Sequence, residues 1–151
     1  MSQPKPITGA RALLFDRLVD SADWEDEQHL RILNQNQLRA EPLILEARQR
    51  RAVKSAIRET CQIRGWTLHA MNPRRNHVHA VVSANRDSDG VLVAFKANAT
   101  RELRERGLWR QPFSPWARKG SGRHLWNERS VAAAIDYVLN GQGDDLPDFD
   151  D

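Results

Sequence analysis

The chain is short of the residues that would define several protein classes. It has one cysteine, one tyrosine and two methionines in 151 residues. A lone Cys61 cannot form an internal disulfide, which excludes a disulfide-stapled secreted scaffold and fits a reducing, cytoplasmic location. No run of 18 or more apolar residues exists, so no transmembrane helix is expected and no membrane partner. The apolar patch near the N-terminus is interrupted by Asp16 and Arg17 and does not read as a secretory signal. Lysine is scarce as well: of 23 basic residues, 19 are arginine. What remains is ordinary for a globular chain, 40% hydrophobic and 28% charged, and long enough to bury one core without staples.

The net charge of +3 conceals an uneven distribution. Residues 1–46 carry a net −3, residues 47–143 a net +11, and residues 144–151 (DDLPDFDD) a net −5. A basic middle rich in arginine, whose planar fork suits phosphate, points to a polyanion such as nucleic acid. A solvated basic face is the plainer alternative. The acidic tail is expected to be disordered and able to screen the basic surface.

No repeat is visible along the chain. In residues 1–44, ARALLFDRLV reads as a strand or short helix, followed by an irregular polar insertion. From Leu45 the signals sharpen. LEARQRRAVKSAIRETCQIRG predicts a helix with Val53, Ala56, Ile57 and Cys61 on one face and Gly65 as its stop. WTLHAMN and HVHAVVS predict an antiparallel hairpin turning at Pro73-Arg74-Arg75. VLVAFKANATRELRERG predicts a second long helix, with Val91, Phe95, Ala99 and Leu103 aligned. Residues 108–126 read as irregular, with one short strand near SGRHLWNE. A last helix over 128–140 carries Val131, Ala134, Ile135, Val138 and Leu139, capped by Asn127. This order predicts an α+β fold with helices packed on one face of an antiparallel sheet.

Three features could carry chemistry. In Asn76-His77-Val78-His79, a strand projects His77 and His79 to the same side, a natural half-site for a divalent metal. Two buried histidines bonded to backbone groups fit the same pattern. Tyr137, the single tyrosine, lies at the edge of the last helix's apolar stripe, where a phenol can reach a site or simply mark a boundary. In LWRQPFSPWARKGSGRHLW, Trp109, Phe113, Trp116 and Trp126 interleave with Arg110, Arg118, Lys119, Arg123 and His124. Flat rings among cations suit the bases and phosphates of a single strand; tryptophans covering a core edge would look alike. Arg74 and Arg75 add charge at the hairpin turn, and His69 is placed to share the histidine face.

Together these residues resemble a family. NHVHAVV looks like the His-hydrophobic-His (HUH) motif of the single-tyrosine transposases, the small transposases of insertion sequences that move as single-stranded DNA, with REP-associated and domesticated relatives. Met71-Asn72-Pro73 is similar to the turn before that motif, VLVAFKANATRELRERG to the helix after it, and GSGRHLWNERSVAAAIDYVLNGQG to the segment carrying the tyrosine helix. The resemblance spans residues 45–143. It implies a ferredoxin-like α+β fold of the HUH endonuclease type, a Mg or Mn cofactor, single-stranded DNA, often beside a hairpin, as partner, and frequently a homodimer. By resemblance His77 and His79 are metal ligands and Tyr137 is the nucleophile, which forms a 5′-phosphotyrosine and leaves a 3′-hydroxyl. Arg74, Arg75, Trp109, Arg110, Trp116, Arg118, Lys119 and Arg123 are the candidate DNA contacts.

The pattern is broken at one point. The family's third ligand is commonly a glutamine one helical turn after the tyrosine, a position held here by Gly141. Asn140, about 60° around an ideal helix from Tyr137, and Gln142, about 140° away, are the replacements at hand. Two other functions remain open: a domesticated DNA-binding module that does not cut, and a zinc hydrolase indifferent to Tyr137.

Overall fold

The computed structural model describes residues 8–17, 45–141, 146, 147 and 149. Most of residues 1–44, read as an irregular insertion after the first element, lie outside the described residues, as does Gln142. The elements are β1 (Ala10–Arg17), α1 (Ala47–Arg64), β2 (Thr67–Pro73), β3 (His77–Ser83), α2 (Ser88–Glu105), β4 (Trp116–His124) and α3 (Glu128–Asn140). ARALLFDRLV therefore holds a strand. Among the described residues, four strands form one antiparallel sheet in the order β2-β3-β1-β4. Each βαβ half places its strands in the ferredoxin-like α+β arrangement that the family resemblance implies.

Local chemistry sets the element ends. Gly65 adopts the left-handed conformation at φ 72° and closes α1. The Asp87 carboxylate accepts from the Gly90 amide at 2.8 Å and starts α2. The Asn127 side chain does the same for Ser130, also at 2.8 Å, at the head of α3.

Alternation along β1 divides the core. Leu13 and Phe15 point to the face covered by α1 and α2, where Val53, Ile57, Val82, Phe95 and Leu103 are buried with them. Ala10, Ala12 and Leu14 point to the other face, against Val81 and the stripe Val131, Ala134 and Val138 of α3. The expectation of helices on one face holds for α1 and α2 and is corrected for α3. A sheet whose central strands β1 and β3 are apolar on both sides needs a cover on both, and α3 supplies the second.

Two further expectations are corrected. The short strand expected near SGRHLWNE starts earlier, so that residues 116–120, read as irregular, and the whole KGSG stretch belong to β4. Gly120 and Gly122 face α2: a Cβ at Gly122 would stand 2.5 Å from the Ser88 Cβ, and one at Gly120 2.8 Å from the Leu14 carbonyl oxygen. These glycines mark a close helix–sheet approach and not a turn. The acidic tail is not wholly without structure either. Leu146 is buried in the α3 cluster, and Phe149 packs against it.

Candidate active site

The hairpin delivers the histidines. β3 is buried along its whole length, and its odd-numbered residues look towards α3. His77 and His79 thus lie side by side, 4% and 2% exposed, with ring centroids 4.7 Å apart. Val78 points the opposite way into the larger core, as the two-residue period requires.

Tyr137 comes to them from α3. Its ring stacks on His79 with centroids 5.6 Å apart and planes 25° from parallel. The tyrosine is half-buried at the edge of the helix's apolar stripe, where helical spacing puts it. Phe149 closes the far side of the phenol edge-on, its centroid at 5.7 Å.

Two side chains from the hairpin hold the end of α3 over the site. The Asn72 amide donates to the Val138 carbonyl at 2.9 Å. The Arg74 guanidinium donates to the Gly141 carbonyl at 2.7 Å. The last carbonyls of a helix have no partner within it, so these bonds satisfy groups that would otherwise need water. Arg74, expected from the resemblance to contact DNA, here holds the end of the helix that carries Tyr137.

Beside His77 opens a cleft of about 600 Å³ lined by Arg50, Asn72, Pro73, Arg74, Arg75 and Asn76. Arg50 reaches it from α1, anchored by a bond to the Leu45 carbonyl at 2.6 Å. Nothing in its local sequence separates it from the neighbouring arginines of the QRR run; only the packing of α1 against the hairpin brings it here. Arg75 approaches Glu46 at 3.6 Å, but both are exposed, so the pair holds Arg75 weakly.

The other sequence candidates scatter. Trp109 and Trp116 are core residues, 7% and 1% exposed, which corrects their reading as stacking platforms. The Trp109 indole donates to the Phe113 carbonyl at 2.8 Å, and Trp116 meets Phe15 edge-on at 4.9 Å. The exposed ring of that stretch is Trp126, 72% exposed and lying on His124 at 3.9 Å between centroids. It follows the strand end paired with Arg11, the end of the sheet away from His77. Arg110, Arg118 and Arg123 are exposed, and the side chain of Lys119 is outside the described residues. His69 shares the histidine face only at its far end, where it bonds the Ser83 hydroxyl at 2.8 Å.

The donor set suits a divalent cation in part. Two adjacent imidazoles can ligate a divalent transition ion, and Mg or Mn would want oxygen donors beside them. Among the described residues no three of His, Cys, Asp and Glu already stand together as a metal group, so a third donor has to move in or be an amide. Asn140 is exposed, with its amide donating to the Asp136 carboxylate at 3.0 Å. Gly141 leaves the helix in an extended conformation, and a Cβ there would overlap the Tyr137 carbonyl oxygen. The usual glutamine cannot be accommodated at 141 on this backbone.

The fold is shared with transposases of known structure. A REP-associated tyrosine transposase bound to a REP hairpin superposes with a TM-score of 0.55 at 14% identity, over 91% of this chain and 70% of that one. A protein of Deinococcus radiodurans R1 described as a transposase superposes with a TM-score of 0.56 at 13% identity, over 93% and 96%. No curated protein sequence matches. At the level of sequence, the profile of the IS200-like transposases matches residues 29–139, the span that contains the histidine pair and Tyr137. The chain belongs to the IS200-like transposase family.

Proposed function

We propose that this protein cuts and rejoins single-stranded DNA through a covalent link to Tyr137, with a hairpin beside the cleavage point. The observation that carries the reading is the stacking of Tyr137 on His79 next to His77, all within one chain. The hairpin is suggested by the REP-bound relative.

The chemistry follows from the groups present. The Tyr137 oxygen attacks the phosphorus, the bond from phosphorus to the 3′-oxygen breaks, and a 5′-phosphotyrosine forms. The phenol proton leaves to solvent and the departing 3′-oxygen becomes a hydroxyl. A second 3′-hydroxyl can attack the phosphotyrosine and restore the phenol, so rejoining needs no nucleotide cofactor. A Mg or Mn ion held by His77 and His79 would draw charge from the phosphate oxygens. Arg50 and Arg75, in the cleft that runs to His77, bind and orient the flanking phosphates. Exposed Arg118 and Arg123 on β4, with Arg110, extend the basic surface.

The test uses labelled single-stranded DNA carrying flanking hairpins, with Mn or Mg. Wild type should give a protein–DNA adduct that survives denaturing electrophoresis. Tyr137→Phe should bind the same DNA and give none. His77→Ala should lose cleavage. Binding without an adduct, across metals and substrates, would leave a DNA-binding module that does not cut.

A further inference from the structure

We propose that Asp16 supplies the third protein donor of the cation site, in place of the glutamine that Gly141 excludes. The inference rests on the metal-dependent reading above and names a residue which that reading does not use.

The argument is one of register. β1 pairs with β3 without a break from Ala10 opposite Ser83 to Asp16 opposite His77. Directly opposed residues of an antiparallel pair project to the same face, with β-carbons about 4.5–5.5 Å apart. Leu14 opposes His79 and packs beneath α3, so Asp16 is the next residue on the histidine face. Ala10, Ala12 and Leu14 are apolar and buried there; the residue beside the imidazoles is instead an exposed carboxylate.

The alternatives on α3 are weaker. A side chain at position 141 is blocked by the Tyr137 carbonyl, and Asn140 turns its amide to Asp136. Both belong to a helix whose end is fixed by Asn72 and Arg74. The Asp16 carboxylate, which has a partner of its own, has to exchange it and rotate to complete the group with His77 and His79, and its exposure gives it room. Two imidazoles and one carboxylate form a facial set that leaves coordination positions for phosphate oxygens, and the carboxylate adds the oxygen donor that Mn favours. A carboxylate also lowers the net charge of the site by one relative to an amide. The ion is held more tightly as a result, and its pull on the phosphate is reduced.

The experiment is Mn titration of the full chain, read from the six-line electron paramagnetic resonance signal of the free ion. Wild type, Asp16→Asn, Asp16→Ala, His77→Ala, Asn140→Ala and Gln142→Ala are compared, with melting temperature as the control for folding. The expected result is an Mn affinity at least about ten-fold weaker for Asp16→Ala, intermediate for Asp16→Asn and unchanged for Asn140→Ala and Gln142→Ala. If His77→Ala loses Mn while both Asp16 variants bind like wild type, the assignment of Asp16 is wrong and the histidine site stands. If wild type itself binds no Mn, the metal-dependent reading and this assignment fall together.

Discussion

Trp116 and Trp126 occur in the same arginine-rich stretch and meet opposite surroundings. The first is 1% exposed against Phe15, the second 72% exposed. Trp116→Ala should therefore cost about 3–5 kcal/mol in denaturant unfolding, as for other buried aromatics. Trp126→Ala should change stability by less than about 0.5 kcal/mol. Cys61 gives a chemical check on the same core. Burial raises its thiol from 9.0 to about 11, so the neutral form is favoured in the folded chain. Its contribution to stability is present below pH 9.0 and is lost as pH rises towards 11. At neutral pH the native thiol should react with alkylating reagents far more slowly than the denatured one, measured by mass spectrometry. At this scale the sequence is informative where geometry is local. Two histidines at i and i+2 on a strand must face the same way, whatever the rest of the chain does. Whether a tryptophan among arginines meets DNA or the core depends on contacts made far away, and the sequence pattern does not distinguish them.

The elements show the same division. The helices were legible because apolar stripes, caps and glycine stops are short-range signals. β4 was legible only at its SGRH end, because the glycines of its middle answer to α2 and β1, neighbours that approach only in the folded chain. Gly122→Ala should then destabilise by about 1–3 kcal/mol, read by thermal or denaturant unfolding, since Ser88 cannot withdraw without shifting the first turn of α2. The side of the sheet taken by α3 was likewise hidden: an amphipathic helix announces that it has a buried face, not which surface it covers. The two bonds from the hairpin to its end make a separate prediction. Asn72→Ala should speed amide hydrogen exchange at the end of α3, around residues 137–141, and leave the α1–α2 core protected.

Across the whole molecule, charge and site coincide. The basic middle of the sequence supplies Arg50, Arg74 and Arg75 to one cleft beside His77, and the acidic tail sends Phe149 onto Tyr137. If arginine–phosphate contacts dominate binding, log affinity for single-stranded DNA should fall linearly with log salt, with a slope near −0.7 per phosphate neutralised. A flat response would remove the electrostatic part of the proposal. The position of α3 has a further consequence, one of genetics. Tyr137 lies on His79 of its own chain, so if the proposed reaction uses the pair as folded, each copy supplies both its histidines and its tyrosine. A chain defective in His77 and a chain defective in Tyr137, produced together, should fail to rescue one another. The two lesions would behave as alleles of one indivisible unit, and each wild-type copy in the mixture would keep its own activity.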